Sequence, residues 1–198
     1  MTMVKNLIGK AIAITLLVAC ATAANAATVW TGPWVEFSKV AANDVNQAQY
    51  QDRITPLVWL TRGPSQGLFN IAQEASFQRF AGISPAGTEW AFQGGPGNPE
   101  TGVSAEDYAS LDFRDWTAAL GGPQQVKRNI IDRPGVVHLI DEDIYFDILF
   151  LEWTDPTGDT AVRYVRTSPV PVPAAAWLMA SGLGLLGFLR RQRTVRPV

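Results

Sequence analysis

The sequence predicts a mainly β protein: an antiparallel β-sandwich or jelly-roll-like single domain with one short helix, flanked by an N-terminal signal helix and a C-terminal transmembrane helix. Two observations predict the sheets. Short apolar runs alternate with clusters of Gly, Pro, Asn and Asp, and residues 143–153 repeat their apolar positions with a period of two. A third observation predicts the flanks, because uncharged apolar runs bordered by basic residues lie near both ends of the chain.

Residues 1–26 contain the three parts of a secretory signal peptide. Two lysines form its positive region, and residues 11–21 form its apolar region. A small-x-small pattern follows, at which signal peptidase cuts. The positions that define the predicted cleavage site are Ala24, Ala26 and Ala27, with the cut before Ala27.

Cys20, the only cysteine of the chain, allows a second interpretation of the leader. Residues 17–20 also fit a lipoprotein box, in which Cys20 becomes the lipidated first residue. Cleavage after Ala26 removes Cys20 instead, and the exported domain then has no thiol for a disulfide, a nucleophile or a metal site. Residues 27–167 must therefore be held together by their own core, and they are long enough to form one.

Charge is unevenly distributed along the chain. All 18 acidic residues lie in the body, whereas six of the 16 basic residues flank the terminal apolar runs, which leaves the body with a net charge of about −8. A domain this acidic repels nucleic acid phosphates, so the sequence predicts no nucleic-acid partner. By the positive-inside rule, the C-terminal arginines stay in the cytoplasm and residues 27–173 lie outside.

The last 31 residues, 168–198, are ordered as a proline-rich spacer, a short apolar helix and a basic stop. The predicted membrane helix, residues 174–189, rises ~1.5 Å per residue and spans roughly 24 Å, which is less than the ~30 Å hydrocarbon core. A plain C-terminal membrane anchor is one interpretation of this order.

The tail also resembles a PEP-CTERM sorting signal, of the variant whose consensus begins Val-Pro-Leu-Pro-Ala. The positions that carry the resemblance are Val170, Pro171, Val172, Pro173, Ala174, Trp177, Gly182, Gly187, Arg190 and Arg191. Val172 stands where the family name implies a glutamate. The resemblance implies a transient partner, an exosortase-type membrane peptidase of Gram-negative bacteria that make exopolysaccharide. It further implies cleavage near the proline motif and transfer of the body to the cell surface or the extracellular matrix.

Within the body, four short apolar runs are predicted as strands, at residues 34–40, 56–61, 67–72 and 88–93. Residues 143–153 form the clearest strand. One face carries Ile144, Phe146, Ile148 and Phe150, and the other carries Asp143, Tyr145, Asp147 and Leu149.

The strand at 143–153 is predicted to form a hairpin. Residues 155–159 contain Asp, Pro and Gly, which favour a turn, and residues 160–167 return as the partner strand. The predicted register pairs Asp147 with Arg166 and Leu149 with Tyr164, with Thr154 opposite Asp159.

One stretch departs from the strand pattern. Residues 113–120 have apolar side chains at helical spacing, which predicts a short helix packed against a sheet. Asp112 is the predicted N-cap, and the Gly-Gly-Pro sequence at 121–123 is the predicted stop. Residues 92–103 are rich in Gly and Pro and are predicted to form a flexible surface loop without a phosphate-binding motif.

The ionisable residues give little indication of catalysis. His138 is the only histidine, which excludes sites that need several histidines. Two hypotheses remain open from the residues alone. Calcium binding would use His138, Asp141, Asp143 and Asp147, although the same acidic run is typical of a solvated strand end.

Glycan cleavage would need Glu36 and Glu152 to face each other across a cleft. We predict no catalytic residue, no metal and no cofactor.

The six tryptophans of the body indicate either an apolar core or a saccharide-binding surface. They are Trp30, Trp34, Trp59, Trp90, Trp116 and Trp153. The sequence as a whole favours a secreted cell-surface or matrix protein with a structural or adhesive role in an exopolysaccharide biofilm. A carbohydrate-binding module is the main alternative.

Overall fold

The computed structural model describes residues 27–40, 44–63, 67–78, 84–154 and 161–170. The predicted signal peptide, the turn at 155–159 and the predicted membrane helix lie outside these ranges. Within them, no helix is both long enough and apolar enough to cross a membrane. The described residues form two sheets with a few short helical turns, so the mainly β prediction is confirmed.

Nine strands are found in the described ranges, and they divide into a large sheet and a small sheet. Their bounds are β1 Thr28–Trp30, β2 Trp34–Lys39, β3 Asp52–Arg53, β4 Trp59–Arg62, β5 Leu68–Asn70, β6 Thr88–Phe92, β7 Pro134–Leu139, β8 Ile144–Trp153 and β9 Val162–Thr167. The large sheet has the antiparallel order β2-β9-β8-β7-β6, and the small sheet has the order β3-β4-β5.

The longest strand, β8, is central to the large sheet. It pairs with β7 along its first half and with β9 along its second half. The short strand β1 pairs in parallel with Ile144–Phe146, on the part of β8 that β9 does not reach. This parallel pair was not expected from the sequence, which predicted antiparallel sheets throughout.

The predicted alternation along β8 is confirmed. Phe146, Ile148 and Phe150 are fully buried in the main apolar core. Both sheets contribute to this core, with Val58, Leu60 and Leu68 from the small-sheet region and Val137, Leu139, Val162 and Tyr164 from the large sheet. Side chains at alternate positions of a strand point to the same face. The apolar side chains of β8 therefore indicate which side of the large sheet faces the small sheet.

The hairpin of β8 and β9 forms, but its predicted register is wrong by one residue. Arg166 lies opposite Ile148 and Tyr164 opposite Phe150, and a bulge at residue 151 then shifts the pairing. The predicted pairing of Tyr164 with Leu149 would have placed Tyr164 on the outer face, because a one-residue slip reverses the face of every side chain. Tyr164 instead points inward, where it reaches a partner on the small sheet.

The predicted helix at 113–120 is shorter than expected, and its predicted cap is wrong. The helix α1 covers only Trp116–Ala119, with Asp115 at the N-cap position. The backbones of Arg114 and Trp90 exchange two hydrogen bonds, of 2.8 and 2.9 Å, which keep residue 114 extended.

The predicted stop of the helix is confirmed, since Gly121 and Gly122 follow α1 with φ of 90° and 112°. A second short helix, α2, covers Val126–Asn129.

A buried ion pair ties the small sheet to the large one. Arg166 Nε and Nη2 each donate to the Asp52 carboxylate at 2.7 Å. The Tyr164 hydroxyl donates to the same carboxylate at 2.9 Å. Burial, together with the adjacent carboxylate, raises the pKa of Tyr164 well above its usual value. The Asp52 oxygens are therefore satisfied by charged and neutral donors, which a buried carboxylate requires.

A second arginine strengthens the same junction. Arg62 of β4 donates to the carbonyl oxygens of Ala161 and Thr154, each at 3.0 Å. Its guanidinium also lies 3.8 Å from the centre of the Trp153 ring. The sheets are thus joined by directional contacts as well as by the apolar core.

We predict that Asp52→Asn destabilises the domain by about 3–5 kcal/mol, because it leaves the Arg166 charge buried without a carboxylate. Urea denaturation of the purified protein measures this loss. The matched control is Asp112→Asn, which breaks the exposed 2.6 Å pair with Arg114 and should leave the midpoint nearly unchanged. Equal effects of the two substitutions would show that the buried pair does not hold the sheets together.

Candidate functional site

The only histidine lies in a cluster on the outer face of the large sheet. His138 of β7 has Nδ1 3.5 Å from Glu89 of β6 and Nε2 3.4 Å from Asp143, just before β8. Its ring stacks on Tyr145 at 4.2 Å with an interplanar angle of 1°. Phe113 meets both rings edge-on. The register of β6, β7 and β8 places Glu89, His138 and Tyr145 side by side.

Two tyrosines stack within this cluster. Burial and a hydrogen bond to Asp143 raise the pKa of Tyr145 to about 12, so its phenol stays neutral at physiological pH. A second tyrosine, Tyr108 of the 3₁₀ turn Ala105–Ser110, stacks on Tyr145 at 4.2 Å. Both His138 nitrogens face carboxylates of the domain itself. The His138 ring itself is mostly buried, whereas the Glu89 and Asp143 side chains are partly exposed.

The four residues of the calcium hypothesis do not converge. Asp143 faces His138, whereas the Asp147 carboxylate accepts the Ala105 amide proton at 2.7 Å. Asp141 is exposed in the turn between β7 and β8. In the part of the chain that the structure describes, no three His, Cys, Asp or Glu side chains are grouped so that they could hold a metal ion.

Asp147 is an ionisable group whose environment opposes its charge. Burial raises its pKa above the ordinary value, although the Ala105 amide favours the ionised form. Glu106 and Asp107 add a repulsive contribution that raises the pKa further. A raised folded-state pKa means that the stabilisation from this carboxyl is complete only below the unfolded pKa of about 3.9 and is lost as the pH rises through the folded value.

We therefore predict that Asp147→Asn raises the melting temperature at pH 7 relative to the wild type, because the amide keeps the hydrogen bond from Ala105 without a buried charge. The difference should shrink as the pH falls toward 4, where the wild-type carboxyl is protonated. Thermal melting between pH 3.5 and 7.5 measures it. The control is Asp141→Asn, at an exposed position in the turn before β8. A difference between Asp147→Asn and wild type that does not depend on pH would contradict this account.

The two glutamates of the glycan-cleavage hypothesis are neighbours on the outer face, but an arginine lies between them. Arg163 of β9 has Nη1 4.0 Å from Glu36 of β2 and Nε 3.7 Å from Glu152 of β8. A glycosidase pair needs open space between its carboxylates for the glycosidic oxygen and water. Arg163 lies within 4.0 Å of both glutamates, in the position between them where a glycosidase keeps that space open.

The tryptophans separate into buried, covered and exposed groups. Trp30, Trp90 and Trp116 are at most 7% exposed and belong to the main core. Trp59 is covered by Arg53 at 4.2 Å, and Trp153 by Arg62. Trp34, at the start of β2, is 54% exposed. The six tryptophans of the body therefore do not form a row of open aromatic faces.

The glycine-rich loop at 92–103 is ordered by specific contacts. The Gly94 amide donates to the Pro99 carbonyl at 2.8 Å, and the Asn98 side chain exchanges two hydrogen bonds with the Asp112 backbone. One side of the loop borders a shallow cleft of about 340 Å³. Its lining consists of Gly94, Gly95, Pro96, Leu120, Gly121, Asn129 and Arg133. No pattern in the sequence indicates this cleft, because its walls come from three separate segments.

The C-terminal junction of the body is held in place by the segment before β2. The Gly32 amide donates to the Ser168 carbonyl at 2.8 Å, and the Ser168 hydroxyl donates to the Pro33 carbonyl at 2.7 Å. The approach is so close that a Cβ on Gly32 would lie 2.5 Å from the Ser168 carbonyl oxygen and 2.6 Å from that of Pro169. Val170 follows and is 56% exposed. It is the first position of the predicted sorting motif, and the other nine positions lie outside the described residues.

Comparison with known proteins returns no relative. No protein family, no curated protein and no solved structure matches this chain. Function must therefore be argued from the geometry of the chain itself.

Proposed function

We propose that this chain is an exported cell-surface or matrix protein, whose β-sandwich body is delivered by a removable C-terminal sorting tail. The observation that carries the proposal is the junction at residues 168–170. The last strand ends at Thr167, Ser168 and Pro169 are fixed against Gly32 and Pro33, and the proline motif begins at Val170. The motif thus starts where the contacts of the body end.

This position suits proteolytic removal of the tail. A membrane peptidase needs an extended substrate segment, and the prolines at 171 and 173 favour an extended chain. Cleavage among residues 170–174 would leave every hydrogen bond of the junction in place. The body would therefore keep its fold after the membrane segment has been removed.

The interior of the body is consistent with a role outside the cell. Its sheets are joined by the Asp52–Arg166 pair and by the apolar core, and no cysteine is present after residue 20. Such a domain needs neither an oxidising nor a reducing compartment to fold. Within the described ranges, the ionisable side chains of the two outer-face clusters contact one another. We therefore assign a structural or adhesive role in an exopolysaccharide matrix.

A saccharide-binding role is the second candidate, and one observation favours it. Trp34 is largely exposed on the outer face of the large sheet, on the strand that also carries Glu36 and next to the strand of Arg163. An aromatic face beside polar groups is suited to a sugar ring. A single exposed tryptophan supports this role less well than an aromatic groove would.

The sorting proposal predicts the mass of the exported protein. In cells with an intact exosortase, mass spectrometry of the extracellular form should show Ala27 as the first residue and a C-terminus among residues 170–174. In cells without the peptidase, the protein should stay in the membrane with residues 174–198 attached. Retention of those residues in both strains would contradict the proposal.

A matched variant sharpens this experiment. Replacing Pro171 and Pro173 by Ala removes the extended motif but leaves the apolar run and the arginines unchanged. We expect export and membrane retention without cleavage. The substitution Ala26→Asn, by contrast, should affect only N-terminal processing. Detection of a lipid-modified Cys20 as the first residue would establish the lipoprotein alternative.

A further inference from the structure

Two apolar side chains are exposed where the chain leaves the body. Trp34 is 54% and Val170 56% exposed. We call these two residues the junction patch. Trp34 begins β2, at an edge of the large sheet, with its side chain on the outer face, and Val170 follows the fixed Ser168–Pro169 segment. Val35 is 37% exposed but lies opposite the inward-pointing Arg166, so it faces the other side of β2.

The junction patch is rigidly linked to the exit point of the chain. Trp34 lies opposite Thr167 in the ladder of β2 and β9. The residue before Trp34 accepts the Ser168 hydroxyl proton at 2.7 Å. The distance from Trp34 to any membrane helix that follows is therefore set by the residues after Pro169.

Those residues are few. Five residue steps separate Pro169 from Ala174, and at ~3.1 Å per step for a proline-rich extended chain they reach about 16 Å. Residues 174–189 fall short of the hydrocarbon core by roughly 6 Å. Because the arginines hold the far end at the cytoplasmic surface, the spacer must cover that deficit. Its remaining reach above the hydrocarbon is only about 10 Å, which is comparable to the ~5–7 Å interfacial layer on each side of the bilayer.

We propose that, before the tail is cut, the junction patch docks on the outer surface of the lipid bilayer, with the Trp34 indole in the interfacial layer. The inference rests on the proposed function, because it requires the tail to be in the membrane. Indole rings favour this layer, since one part of the ring is apolar and its N–H can bond to water and headgroups. Docking would orient the body and present residues 170–173 to a peptidase within the membrane.

The charges near the patch indicate an apolar contact. Glu36, the next outward residue of β2, is balanced by Arg163, and the body as a whole is acidic. Attraction to anionic headgroups therefore cannot drive the docking. Insertion of one indole and one valine into the interface requires no net positive charge, so zwitterionic lipid should be sufficient. Cleavage of the tail removes the tether and releases the patch.

A single fluorescent label tests the proposal. The precursor is purified from cells that lack the peptidase and is reconstituted in phosphatidylcholine vesicles. Because the exported chain has no free thiol, Thr31→Cys provides a unique site for an environment-sensitive dye at an exposed position beside the patch. Quenching by lipids with a nitroxide headgroup then reports how close this corner of the body lies to the bilayer.

We expect strong quenching at residue 31, loss of quenching in the added Trp34→Ala background, and recovery with Trp34→Tyr, which keeps an aromatic ring suited to the interface. The distance control is Ser38→Cys on the same face of β2, ~13 Å farther along the strand, where quenching should be weak. Thermal melting verifies that each variant folds. If Trp34→Ala unfolds the body, Trp34→Gln replaces it.

The outcomes separate the two proposals. If the precursor does not float with vesicles, the membrane tail of the proposed function is wrong. If it floats but quenching at residue 31 does not depend on Trp34, docking by the patch is wrong and the sorting proposal stands. If quenching is weak throughout and a neutral polysaccharide instead shifts the label emission in a Trp34-dependent way, the patch is a saccharide site.

Discussion

The contact between Asp52 and Arg166 is the constraint on which the rest of the structure depends. It joins residues 114 positions apart and connects the small sheet to the strand that ends the body. A buried carboxylate without such partners would cost several kcal/mol, so the two sheets can assemble only in the arrangement that satisfies it. The same contact requires Tyr164 and Arg166 to point inward, which is the face that the observed register of β9 against β8 gives them.

The two faces of the large sheet have different roles. The inner face is filled with aliphatic and aromatic side chains that meet the small sheet and α1. The outer face carries paired ionisable groups, with His138 between Glu89 and Asp143 and Arg163 between Glu36 and Glu152. In each cluster, side chains from neighbouring segments of the sheet contact one another. A structural or adhesive role for this body is our proposal.

The junction connects this scaffold to the proposed sorting tail. Ser168 and Pro169 are fixed against Gly32 and Pro33, so the contacts of the body extend to the residue before Val170. In the proposed function, the peptidase would meet the motif directly next to the folded body, and the body would be held near the bilayer. The proposed docking would also account for the exposure of Trp34.

The sequence by itself determined what depends on near neighbours: the alternation of β8, the Gly121–Gly122 stop after α1, the charge asymmetry and the order of the tail. The tertiary structure alone decided the features whose partners are distant in sequence. The start of α1 depends on the bridge between Trp90 and Arg114, the hairpin register on Asp52, and the parallel pairing of β1 on the space that β9 leaves along β8. Period and turn chemistry act over a few residues, whereas burial and ion pairing act between segments that only folding brings together.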